Sequence, residues 1–97
     1  MPPTASEPVD WMDAADNYVR LHVGGREYLL RDTLASLEAQ LDPSRFVRVH
    51  RSAIVRLDRV VEIRAETHGD AELRLRDGTR LSVSRTFRGQ VQDALRR

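Results

Sequence analysis

A glycine pair, Gly24-Gly25, separates two stretches of alternating polarity, Tyr18–Val23 and Arg26–Arg31. Two glycines between such stretches favour a two-residue hairpin turn, because both positions need a positive φ that costs glycine nothing. The register can be checked by chemistry. Pairing Val23 with Arg26 sets Leu21 against Tyr28 and Val19 against Leu30 on one face, and His22 against Glu27 on the other. Both faces are chemically consistent, so the chain is committed early to antiparallel sheet.

The same reasoning locates a second hairpin, Ala71–Leu75 with Thr79–Ser84, around Arg76-Asp77-Gly78. A two-residue turn at Asp77-Gly78 would mix apolar and charged residues on each face. A three-residue loop with Gly78 in the left-handed region instead opposes Leu73 to Leu81 and Ala71 to Val83, and is the register expected. Further strands are predicted over Val9–Ala14, Phe46–His50 and Val60–Ala65, with turns at Asp16-Asn17 and Thr67–Asp70. Ser52–Leu57 fits either a single helical turn or a bent connection. Two helices complete the reading. Asp32 or Thr33 caps a short one with Leu34, Leu37 and Leu41 on one side, ended before Pro43. Thr86–Arg96 forms a terminal helix burying Phe87, Val91, Ala94 and Leu95.

Ninety-seven residues with 40% apolar content suffice for one compact domain. The proline-rich stretch Met1–Pro8 reads as a disordered lead-in or linker end, leaving residues 9–97 as the domain. It lacks the charge and apolar run of a signal peptide. No apolar stretch approaches the roughly 20 residues of a membrane helix. With no cysteine present, the expectation is a cytoplasmic protein without disulfides or a thiolate metal site.

Net charge is only +1, but it is unevenly spread. Residues 1–16 carry −4, whereas residues 45–59 and 80–97 each carry +4. Every basic side chain is arginine, whose planar fork suits guanine edges and phosphates, although a GC-rich genome would also favour it. The stretch Arg45–Ser52 alternates apolar residues with such donors. Ser82-Val83-Ser84-Arg85-Thr86 puts an arginine and hydroxyls where a strand runs out into a helix. Each has an ordinary alternative: a solvated strand face for the first, helix capping by Ser84 or Thr86 for the second.

Catalytic readings fare worse. His50, Ser52 and Asp58 supply the residue types of a hydrolase triad, but no nucleophile elbow or glycine-rich oxyanion loop surrounds Ser52. His22, His50 and His68 lack zinc-site spacing, and Gly24-Gly25 opens no phosphate-binding helix. The expectation is a non-enzyme that needs no cofactor or metal.

Four blocks, VDWMDAADNYVRLHV, REYLLRDTLASLEAQL, FVRVHRSAIVRLDRVVEI and DGTRLSVSR, resemble in order and spacing the LytTR domain. This is the DNA-binding domain of LytR/AlgR/AgrA-type response regulators. The resemblance runs from about Val9 to Arg97, and FVRVHRS and LSVSR are its most telling parts. It implies a mainly β fold, an elongated sandwich of antiparallel sheets with two short helices, whose loop side chains enter successive major grooves. By position in the motifs, Asn17, Arg51 and Arg85 inherit base contacts, and Arg48, His50, Ser52, Ser84 and Thr86 are candidates for backbone contacts. The implied partner is double-stranded DNA at paired direct repeats, with two copies pairing on it. The sequence departs from the family in two places. A strand pair usually found upstream of the DWMDA-like segment is not seen here, and Arg56 stands where asparagine is common. An exposed edge left by a shortened first sheet would suit a competing role, a protein-interaction module without DNA binding. RNA binding ranks last, since five aromatics offer few stacking platforms.

Overall fold

The computed structural model describes residues 9–66 and 70–96. The lead-in Met1–Pro8, most of the turn expected at Thr67–Asp70, and His68 lie outside the described residues. Among the described residues, eight strands form two antiparallel sheets. The larger has the order β3-β2-β1-β5-β4, built from β1 (Trp11–Ala15), β2 (Tyr18–Val23), β3 (Arg26–Leu30), β4 (Phe46–His50) and β5 (Ala53–Arg56). The smaller, in sequential order, contains β6 (Val60–Ala65), β7 (Ala71–Leu75) and β8 (Arg80–Val83). Helix α1 (Leu34–Gln40) links β3 to β4, a 3-10 turn at Leu57–Arg59 precedes β6, and α2 (Arg85–Leu95) ends the described chain. The fold is mainly β and elongated, at 40 × 24 × 22 Å.

Both predicted hairpin registers are present. Val23 opposes Arg26, Leu21 opposes Tyr28 and Val19 opposes Leu30, with Gly24 at φ +56° and Gly25 at +86°. In the second hairpin Leu73 opposes Leu81 and Ala71 opposes Val83, and Gly78 takes φ +92°. Thr33 caps α1, its Oγ accepting the Ser36 N–H at 3.1 Å. Ser84 occupies the N-cap of α2 without a side-chain capping bond.

Residues 53–56 are neither the helical turn nor the bent connection expected within Ser52–Leu57. They form β5, a strand inside the larger sheet paired with β1 on one side and β4 on the other. Ala53, Ile54 and Val55 are all buried because both faces of the sheet are covered there. Ile54 packs with Met12, Val19, Leu21 and Leu34 beneath α1. Ala53 and Val55 point the other way, into a cluster with Val47, Val49, Leu73, Val83 and Val91 between the two sheets and α2. One strand thus serves two cores. No alternation of polarity survives in it, which is why its period could not be read.

Strand β1 is likewise flanked on both edges, by β2 and β5. The start of the sheet therefore presents no free edge among the described residues, and its outer strands are β3 and β4. At the end of the molecule near Gly24, Asp10 ties several elements together. Its carboxylate accepts Arg59 Nε at 2.7 Å and the Gly24 N–H at 3.0 Å, and its carbonyl accepts the Arg56 N–H at 3.0 Å. The bond to Asp10 holds the Arg59 guanidinium pKa above its ordinary value. Arg56, at the position where asparagine is common, pairs with Asp58 at 3.0 Å and lies over the Phe46 ring.

Candidate nucleic-acid interface

Three chain reversals meet at the opposite end from Asp10. The first is the two-residue turn Asp16-Asn17, closed by the pair Ala15–Tyr18. Asp16 adopts φ +58°, a left-handed conformation that Asp tolerates better than most residues, and Asn17 is exposed beside it. The second is Arg51-Ser52, between β4 and β5, where a register shift after Arg48 leaves His50 opposite Ala53. The third is the passage from β8 through Ser84 into α2, with Arg85 and Thr86 exposed in its first turn.

Backbone bonds hold the three together. The Ala14 N–H donates to the Ser52 carbonyl at 2.9 Å, joining the first reversal to the second. The Ser84 N–H donates to the Val49 carbonyl at 3.0 Å, joining the third to the same strand end. A flexible loop cannot fix a side chain against a groove, but reversals stitched to neighbouring strands can.

His50 and Ser52 organise the middle turn. His50 Nδ1 lies 2.8 Å from Ser52 Oγ and accepts the Ser52 N–H at 3.2 Å. An accepting Nδ1 puts the neutral ring's proton on Nε2. Asp58, the third member of the triad considered in the sequence, is not at this site, since it pairs with Arg56 and Arg59. His22 opposes Glu27 as expected, yet its nearer partner is Asp13, 2.7 Å from Nε2, and its ring stacks on Trp11. Among the described residues no group of three or more His, Asp or Glu is placed to hold a metal ion, and no helix is long and apolar enough to cross a membrane.

Of the acidic N-terminal residues described, Asp16 lies at this end in the first turn, whereas Asp10 and Asp13 are engaged elsewhere. Asp10 engages Arg59, and Asp13 engages Arg20 and His22. The Arg51 guanidinium makes no ion pair among the described residues, and it lines a recess of about 560 Å³ whose charged and amide groups are Asp16, Asn17, Arg31, Asp32 and Arg48. Arg31 is exposed there, also without an ion pair among the described residues, and was not singled out from the sequence. The signal was available: the β2–β3 register puts Arg31 next to Tyr18, hence beside the Asn17 turn.

Arg48 differs from its neighbours. Its side chain is only 14% exposed and all three of its guanidinium nitrogens have protein partners. Nε donates to the His50 carbonyl at 2.8 Å, Nη1 to Glu38 Oε1 at 2.9 Å, and Nη2 to the Arg51 carbonyl. The Phe87 ring of α2 lies 5.8 Å from its Cζ, and Gln90 Nε2 donates to the Arg48 carbonyl at 3.2 Å.

Residues 4–96 match the family described as the LytTr DNA-binding domain. The sensory transduction protein LytT of Bacillus subtilis is 32% identical over 80 residues, covering 82% of this chain and 33% of that protein. The transcriptional regulatory protein BtsR of Escherichia coli is 37% identical over 78 residues, covering 80% of this chain and 31% of that protein. The chain thus spans about a third of the length of these relatives. Among solved structures it superposes, with a TM-score of 0.87 and 25% identity, on the LytTr DNA-binding domain of a Bacillus cereus protein described as a methyl-accepting/DNA response regulator. That match covers 98% of this chain and 86% of the other. Two antiparallel sheets with two helices, four sequence blocks in order and a family match over nearly the whole length agree: the chain belongs to the LytTr DNA-binding domain family.

Proposed function

We propose that this chain reads duplex DNA in a sequence-specific manner, as the non-enzymatic output domain of a cytoplasmic bacterial transcription regulator. Asn17, Arg51 and Arg85 enter successive major grooves on one side of the duplex. Arg51 and Arg85 each offer a guanidinium fork for guanine O6 and N7, and Asn17 offers an amide for adenine N6 and N7. His50, Ser52, Ser84 and Thr86 sit beside these tips as donors to phosphate oxygens. The observation that carries the reading is the pair of inter-strand backbone bonds, Ala14 to Ser52 and Ser84 to Val49, which fasten three exposed polar tips to one end of a rigid sheet. Binding at paired direct repeats, one domain per repeat with two copies side by side, follows from the same reading.

The test is selection of bound sequences from a random duplex pool, followed by affinity measurements on the selected site. Arg51→Ala and Arg85→Ala should each lose about 1–3 kcal/mol there and relax preference at one base position. Parental affinity in both variants would refute the assignment of readers. A second reading, a protein-interaction module on the same fold, has one observation in its favour: Leu29 is 62% exposed on the outer strand β3. Salt separates the two, because phosphate contacts make duplex affinity fall steeply between low and moderate salt. A selection that enriches no sequence would favour the second.

A further inference from the structure

The arginine in the middle of the FVRVHRS block does not extend toward the surface. It folds back on its own turn, and we propose that Arg48, held by Glu38, is a positioning residue that sets the Arg51-Ser52 turn rather than a phosphate contact. The inference rests on the DNA-binding reading above and names a device that serves it.

The geometry is that of a clamp. Arg48 Nε and Nη2 reach two successive carbonyls of the turn, His50 and Arg51, which lie where the β4–β5 register shifts. A bulge leaves backbone groups without ladder partners, and a planar guanidinium can satisfy two carbonyls at once with fixed spacing. The remaining nitrogen, Nη1, binds Glu38 Oε1 at 2.9 Å, so α1 anchors the fork from outside the turn. The other side is closed by α2, through Phe87 against the guanidinium and Gln90 on the Arg48 carbonyl. Because Arg85 begins α2, one side chain touches the supports of two proposed readers. A side chain that is 14% exposed, with each guanidinium nitrogen already donating to the protein, has little left to offer a phosphate.

Glu38 makes the idea testable by sign. It carries the sole charge of α1, and its negative charge on the DNA-facing side should by simple electrostatics oppose binding. Removing that charge would then tighten binding to any duplex. If Glu38 instead anchors Arg48, its removal must weaken binding to the selected site.

The experiment compares the parent chain with Glu38→Gln, Arg48→Gln, Arg48→Lys and the double Glu38→Gln/Arg48→Gln variant. Affinity is measured on the selected duplex and on a random duplex of equal length, across a salt series, with thermal unfolding as a check on folding. The expected result is about a tenfold loss for Arg48→Gln on the selected duplex, little change on random DNA, and an unchanged salt slope. Arg48→Lys keeps the charge but not the fork, and stays deficient. Glu38→Gln loses several-fold on the selected duplex only, and the double variant loses no more than Arg48→Gln, as coupled partners should. Three results would overturn the proposal: equal losses on both duplexes with a shallower salt slope for Arg48→Gln, recovery by Arg48→Lys, or tighter binding by Glu38→Gln. Should Arg48→Gln unfold, the exposed Glu38→Gln variant decides by the sign of its effect. A parent chain that binds no duplex would instead remove the DNA reading itself, a result distinct from any of the variant patterns.

Discussion

Truncating two adjacent residues of β5, Ile54→Ala and Val55→Ala, should destabilise the protein substantially in both cases. Ile54 is 1% exposed in the cluster under α1, and Val55 is fully buried in the cluster between the sheets. Ile→Ala deletes three carbon groups, about 2.4 kcal/mol of transfer free energy at about 0.8 kcal/mol each. The cavity left behind adds to this, giving about 3–4 kcal/mol, inside the range of about 2–5 seen for such truncations. Val→Ala deletes two, about 1.6 kcal/mol, or about 2–3 with the cavity. At about 4–8 °C per kcal/mol for a domain of this size, the midpoints should fall by at least about 12 °C and 8 °C respectively. Scanning calorimetry or a urea titration at constant m would measure both. In a fold with one core, one of two neighbouring strand residues faces solvent and its truncation costs within about 0.5 kcal/mol. If either variant proves that mild, the two-core description of the larger sheet is wrong.

Arg31→Ala should weaken binding to selected and random duplexes alike and make the salt dependence shallower by roughly one phosphate contact, which a salt series of affinities would show. Gly78→Ala should cost about 1 kcal/mol or more in thermal or denaturant unfolding, since alanine is strained at φ +92° even though nothing crowds the position. The carboxyl of Glu62 is held below its ordinary pKa by Arg64 and Arg74. A depressed folded-state pKa stabilises above the unfolded value and is lost as pH falls, so the parent should lose melting temperature more steeply than Glu62→Gln between about pH 5 and 3.

The hairpins were legible because turn glycines and strict alternation leave one register in which both faces make sense. Gly24-Gly25 and Gly78 each fixed the pairing of ten or so residues through local turn geometry alone. Where burial is two-sided that signal vanishes, and Ala53-Ile54-Val55 shows it: three successive apolar residues fit a strand or a helical turn equally well. Of the proposed readers, Asn17, Arg51 and Arg85 stood out by their positions in the four blocks. Arg48 was a candidate for a backbone contact by its place in the same blocks, and its bonds to the turn and to Glu38 support the positioning role proposed above. Alternation correctly turned it away from Val47 and Val49, but the side opposite those valines is covered by α1, a long-range fact absent from local pattern. Its link to Glu38 was hidden for the same reason, since that partner lies ten positions away in the chain and across a loop.

Titration of the labelled chain with the selected duplex, followed by backbone amide and arginine side-chain resonances, locates the DNA-facing surface. The largest shifts should gather at Asp16–Tyr18, Arg31, His50–Ser52 and Ser84–Thr86, leaving the Gly24-Gly25 and Arg76–Gly78 turns unmoved. Shifts concentrated at those two glycine turns, or along the outer strand β3, would mean that the molecule meets DNA with a different surface and that the three fastened tips are not its readers.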